Sequence, residues 1–293
     1  MRLGELLRDW AIWIAYTGKE LTRKRVIVVT LILSLCYLAL FAAAFMQLAP
    51  RASDGQDALG QSIFALGIVL LGLYSSQMVV AFFVLFSTMG SISGEIESGL
   101  LLTVLSRPVP RWHIYVGKWI GFAFWSLLYT AILFWGIIAV VAMKLHVPVE
   151  PAALWRAFAL YELIPLALVS LSLCASSYLP MLGTGIMTAL VYGLGSFAGM
   201  LERFYAMPGI SQHAGIEKFG LAASLIMPAD AVYRRVTYEL IGFGDMPFGE
   251  QISRTLGPFG VSDVPSATFI AYTIFYTGAL LVWGAIHFTR RDV

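Results

Sequence analysis

Charge is what this sequence has least of. Asp, Glu, Lys and Arg make up only 12% of its 293 residues, against 59% hydrophobic, and the mean hydropathy is +0.81. A soluble domain carries about 25% charged residues, so that class is excluded and an integral membrane protein is expected. Cysteine is nearly absent as well. Cys36 and Cys174 each fall inside an apolar run, which argues against a disulfide framework or a thiol metal site and reads as two small buried hydrophobes. The net charge is only +2 and no long basic run is present, so no nucleic-acid partner is expected. His113, His146, His213 and His287 show no ligand spacing, and no metal site is expected from them. The sequence has no His-Glu-x-x-His motif and no P-loop, and residues 90–94 read GSISG, with Ile92 where a nucleophile elbow needs serine. The chain reads as non-catalytic, with no cofactor of its own.

What it does have is long apolar runs. Residues 26–47 make a first span, long enough for a hydrocarbon core of about 30 Å at about 1.5 Å per residue. Residues 61–90 make a second, longer than that core requires, and 119–143 a third. The next apolar region, 157–201, contains one charge, Glu162. It is too long for one span of about 20 residues and must fold back on itself. Pro180 and Gly183, with the polar Ser176, Ser177 and Tyr178, place the corner at 176–183, leaving 160–175 and 184–200 as the cores of spans four and five. Residues 267–288 make the sixth. The fold expected is all-α, with a six-helix transmembrane domain over 26–293.

Ahead of it, residues 1–25 carry Leu3, Leu6, Leu7, Trp10 and Ile14 at helical spacing among charged residues. This reads as an amphipathic helix lying along the cytoplasmic membrane surface, with Trp10 and Trp13 at headgroup depth and Arg23, Lys24 and Arg25 at the edge of span one. It lacks the short basic start and small-residue cleavage site of a signal peptide. With both termini inside, eleven of the nineteen Lys and Arg fall on the cytoplasmic side. Five of the other eight lie in one long segment, which counts weakly in the positive-inside rule.

The stretch 94–118, GEIESGLLLTVLSRPVPRWHIYVGK, is the charged insert between spans two and three. Glu95 is the first charged or histidine residue after an apolar run that starts at Ala58. Ile96, Leu100, Leu101, Val104 and Leu105 recur on one helix face, with Glu95 and Glu97 at the N-terminal end where carboxylates oppose the helix dipole. Pro108 and Pro110 stop that helix, and Arg111 to Lys118 begin the next. An ordinary solvated loop would share much of this pattern, but the residue order is more specific. The stretch resembles the segment between the second and third membrane helices of ABC-2-type transporter permeases, which carry a Glu-x-x-Gly-x-Leu run, a Leu-Ser-x-Pro corner and a Gly-Lys pair before the next span; here the corresponding residues are Glu95, Glu97 and Gly99, then Leu105 to Pro108, then Gly117 and Lys118.

The resemblance implies that this segment is a cytoplasmic coupling helix docking on a separate ATPase subunit. Its contact residues would be Glu95, Ile96, Glu97, Gly99, Leu101, Leu105, Arg107 and Pro108. It also implies an elbow helix over 1–25, a second permease subunit pairing around the pathway as homo- or heterodimer, surrounding membrane lipid, and ATP with Mg bound by the partner rather than by this chain. Export is the family's usual direction, and residues 290–292, Arg-Arg-Asp, match the family's short basic-acidic tail. Residues 226–235, IMPADAVYRR, are similar to a segment of the NosY-type branch.

Residues 201–266 hold seven acids against five Lys or Arg, and their apolar stretch 219–227 is too short to span. An external cap with short surface or re-entrant helices is expected, a plain linker being the simpler reading. Glu162 is the one carboxylate inside an apolar span and so a possible pathway residue. An ion pair with Arg156 and a substrate contact both remain open for it. Two other classes stay in view for the whole chain: a secondary transporter or channel driven by an ion gradient, and a non-transporting membrane scaffold.

Overall fold

The computed structural model describes residues 3–53, 58–99, 110–145, 149–205, 214–241 and 265–290. They form α1 (Leu3–Arg23), α2 (Val26–Ser53), α3 (Ala58–Thr88), α4 (Ser93–Glu97), α5 (Arg111–Ala142), α6 (Pro151–Tyr161), α7 (Leu163–Tyr178), α8 (Met181–Tyr205), α9 (Ala214–Ile226), α10 (Ala229–Ile241) and α11 (Ala267–Arg290). No strand occurs among the described residues. Among the described residues, six helical stretches are long and apolar enough to cross a membrane: Val28–Leu48, Gly60–Glu97, Arg111–Ala142, Pro151–Tyr178, Met181–Tyr205 and Ala267–Arg290. Each expected span falls in one of them, in order. The reason is local: only a helix satisfies its own backbone in lipid.

Span four, α6 followed by α7, is the centre of the bundle. Almost every residue of α7 is buried, and it packs against α3, α5, α8 and α11. Its serines tie it to its neighbours: Ser172 meets the Thr88 hydroxyl at 2.7 Å, and Ser170 accepts from Trp119 Nε1 at 2.8 Å. Small residues let helices approach closely in lipid, where apolar burial alone gives little drive between them. Cys174 is buried here, whereas Cys36 faces outward on α2, so only one of the two cysteines is the buried hydrophobe expected. Span one turns one face inward, with Thr30, Ser34 and Phe45 buried and the Tyr37 hydroxyl donating to the Gly72 carbonyl at 2.6 Å.

The expected corner at 176–183 is present: α7 ends at Tyr178 and α8 starts at Met181, with Pro180 between them. It lies at the same end of the bundle as α4, the start of α5 and the end of α11, here termed the terminal end. There Trp283 Nε1 donates to the Tyr178 hydroxyl, and the Tyr178 and His287 rings stack.

At the far end, α9 and α10 form a hairpin that dips between spans rather than lying over them. Gly195 of α8 packs against Met227 at its tip, and the hydroxyls of Tyr272 and Tyr276 on α11 donate to the carbonyls of Leu225 and Ile226, each at 2.6 Å. Gly195 stands ten residues before the end of α8, so the tip lies about 15 Å below that end at about 1.5 Å per residue. The tyrosines satisfy carbonyls that the end of α9 leaves without helical partners. The described part of 201–266 is thus helical, two short helices packed on the spans rather than a plain linker.

Candidate functional site

The terminal end is built from the chain that leaves α3. Gly90 turns it with φ 72°, a left-handed conformation that favours glycine, and a Cβ there would stand 2.9 Å from the Met181 side chain. α4 follows at once and is closed by Gly99, again left-handed with φ 70°, whose N–H donates to the Ile96 carbonyl at 3.1 Å. A helix of five residues cannot hold itself, since helix nucleation is unfavourable and short helices depend on tertiary contacts. Its position is therefore set by its neighbours.

Four contacts do this. The Ser93 N–H donates to Ser176 Oγ at 3.1 Å, joining α4 to the end of α7. Lys118 on α5 is only 2% exposed, and its Nζ donates to the Ser91 carbonyl and to Glu95 Oε1, both at 2.6 Å. A buried ammonium needs such partners, and the Ser91 carbonyl lies just past the C-terminus of α3, where positive charge is favoured. The same Glu95 carboxylate acts on the Tyr16 hydroxyl of α1. Burial, then the carboxylates of Glu95 and Glu20, push the Tyr16 pKa above the usual 10.0. Finally, Glu97 Oε1 accepts the Met181 N–H at 3.1 Å, capping the N-terminus of α8.

The residues expected to face a partner thus divide. Glu95 is turned onto Lys118 and Ile96 packs on the core, while Glu97 stays outward-facing with its carboxylate on α8. A Cβ at Gly99 would meet nothing within 4 Å. Leu101, Leu105, Arg107 and Pro108 lie outside the described residues, as do Leu100 and Val104. Ser98, Pro110 and Trp112 are outward-facing beside them.

α1 packs lengthwise on α5. Trp10 stacks on His113 with ring centroids 5.6 Å apart, Trp13 covers Gly117, Thr17 sits against Gly121, and Trp125 Nε1 donates to the Ile14 carbonyl at 3.1 Å. These contacts advance in step along both helices, so α1 and α5 run in the same chain direction. Gly117 and Gly121, one turn apart, form a groove that a Cβ at either position would fill. The Trp13 ring therefore packs on protein rather than standing free. Arg23, Lys24 and Arg25 remain outward-facing at the α1–α2 corner, where Arg25 has φ 55° and Lys24 pairs with Glu20 at 2.6 Å.

Glu162 sits at the turn between α6 and α7, about 16 Å into span four from Pro151 at about 1.5 Å per residue. It is 9% exposed, and neither carboxylate oxygen has a hydrogen-bond partner among the described residues. The open pairing with Arg156 is not the one formed: Arg156 Nε donates to Glu239 on α10 at 3.0 Å.

A second charged group, which sequence reasoning did not assemble, holds the α9–α10 hairpin. Asp230, 3% exposed at the start of α10, accepts from Arg203 at the end of α8 at 2.6 Å. Arg234 bonds Glu202 at 2.7 Å and approaches Asp230 at 3.4 Å. The Arg203 guanidinium lies over the rings of Tyr74 and Tyr233, 4.8 and 5.1 Å from their centroids, and the Tyr233 hydroxyl donates to the Leu70 carbonyl of span two. A Cβ at Gly199 would collide with the Asp230 carboxylate. The signal available in sequence was Gly195, Gly199 and Arg203 at four-residue spacing on one face of α8, opposite Asp230 and Arg234 at the same spacing on α10.

Taken together, the terminal end is a structural hub that links spans two to five and α1, and the far end is a locked hairpin. Comparison with curated proteins returns no match. A family model described as ABC-2 family transporter protein matches residues 10–293. With six candidate spans and nearly the whole chain matched, this multi-pass membrane protein belongs to the ABC-2 family of transporters, as a membrane permease component.

Proposed function

We propose that this chain is the permease subunit of an ATP-driven exporter in a cytoplasmic membrane, with both termini inside. It binds no nucleotide itself and docks through the segment around α4 on a separate ATPase subunit, which carries ATP and Mg. The observation that carries this reading is the tether of α4 to α1, α5, α7 and α8, because force applied at one short surface element then reaches several spans. The charge bias of the short loops supports the orientation. The outward faces of α2 and α8, with Leu35, Leu40, Leu182, Ile186 and Leu190 exposed, are broad enough to pair with a second permease subunit or to meet lipid.

The test is affinity purification of the tagged chain from its native membrane, with identification of copurifying proteins and an ATP hydrolysis assay. A copurifying P-loop ATPase that is lost from Leu101→Glu is expected. A chain that purifies alone and without ATP hydrolysis overturns the reading. Glu162 is the one observation that favours the ion-driven alternative, since an unpartnered carboxylate within a span suits a proton or cation carrier. Under that alternative Glu162→Gln abolishes transport while no ATPase accompanies the chain.

A further inference from the structure

Lys118 is an expensive way to fill a buried position. Replacing a buried ion pair by apolar side chains of similar volume is often neutral or stabilising, so stability alone does not account for an ammonium that is 2% exposed at the base of span three. What the pair supplies is direction. Lys118 Nζ reaches two acceptors on the stretch after α3, the Ser91 carbonyl and Glu95 Oε1, at 2.6 Å each. That fixes both ends of the approach to α4 relative to α5. Glu97 then fixes α4 relative to α8 through the Met181 N–H at 3.1 Å, and Ser176 fixes it relative to α7. The loop between spans two and three and the corner between spans four and five are thus joined by polar contacts between residues distant in sequence. A hydrogen bond or ion pair has a narrow preferred geometry that apolar contact lacks.

Resting on the permease function proposed above, we infer that Lys118 is the positioning residue of the coupling step. Through Glu95 it locks α4 to span three, with Glu97 completing the lock to span five, so that spans two, three and five move as one body when the ATPase displaces α4. Neither residue contacts nucleotide or cargo. Both act by keeping the lever stiff.

The test uses the permease–ATPase complex in lipid nanodiscs. Nitroxide labels are attached through Ser98→Cys beside α4 and Leu182→Cys at the start of α8, both outward-facing. Cys36→Ser removes the exposed native thiol. Pulsed electron paramagnetic resonance reads the distance between labels without nucleotide and with MgATP plus vanadate, and ATP hydrolysis is measured on the same samples. One narrow distance common to both states is expected in this background. Lys118→Met broadens it in the vanadate state while hydrolysis continues, and Glu97→Gln, an exposed and structurally mild change, broadens it less. Lys118→Arg, which keeps a cationic donor for both the Ser91 carbonyl and Glu95, keeps the distance narrow. A distance that changes with vanadate in the background protein, or that stays narrow in both Lys118→Met and Glu97→Gln, overturns the inference while leaving the permease reading intact. A preparation of the unlabelled complex with no vanadate-sensitive ATPase overturns the permease reading, and the inference falls with it.

Discussion

The two ends of this molecule hold their short helices in different ways. At the far end, α10 is bound by a buried network in which Asp230, Arg203, Arg234 and Glu202 share charge, two tyrosine rings cover Arg203, and a glycine makes room for the carboxylate. At the terminal end, α4 is held by the ion pair with Lys118 of α5 and by hydrogen bonds to Ser176 of α7 and to the Met181 N–H of α8. The first arrangement is redundant and dry, and suits a part that keeps its place. The second draws on contacts from several separate neighbours, with Lys118, Ser93 and Ser176 buried and Glu97 exposed, and suits a part whose position its neighbours set. The lesson is that a short helix can be fixed by burial or by direction.

The largest effect is expected from Asp230→Ala. It leaves the guanidiniums of Arg203 and Arg234 buried with less counter-charge, and breaking a buried pair in this way costs about 3–5 kcal/mol. The measurement is the unfolding midpoint of the purified protein in nanodiscs. A loss no larger than that of a surface substitution would erase the contrast between the two ends.

Next comes Gly199→Ala, expected to cost about 1–3 kcal/mol because the added Cβ overpacks against Asp230. In the Asp230→Ala background the same change should cost much less, since the colliding carboxylate is gone. Additive costs in that double-mutant cycle would show that the two residues do not meet.

At the terminal end, Lys118→Met is expected to cost about 1.5 kcal/mol, the low end of the range for hydrogen bonds to a charged group. The cost is limited because Glu95, at 17% exposed, keeps some access to solvent when it loses its partner. The smallest effect is expected from Glu97→Gln, about 0.3–1 kcal/mol and shrinking with added salt, because the carboxylate acts on the exposed N-terminus of α8. A salt-independent loss larger than that of Lys118→Met would reverse the ranking.

Much of the architecture was legible in advance. The apolar runs located six spans, and Pro180 located the turn between the fourth and fifth, because hydropathy and backbone restriction act within a few residues. The stretch 219–227 was too short to cross, and it belongs to the hairpin that turns back. The candidate site was legible as a place but not as a set of roles. Glu95 and Glu97 stand out in an apolar context, yet nothing near them says that Lys118 will take one and the N-terminus of α8 the other. Glu162 and Arg156 looked like partners because both lie on one helical stretch, but α10 brings Glu239 to Arg156 instead.

The sequence by itself determined the membrane class, the order of the spans and the position of the polar insert, since each follows from transfer of local stretches into lipid. Only the tertiary structure decided that α1 lies along α5 in the Gly117–Gly121 groove, that Asp230 meets Arg203, and that Lys118 reaches across to Glu95. Those outcomes depend on which helix faces meet, and in lipid that choice rests on close packing and directional polar contacts between residues far apart in the chain.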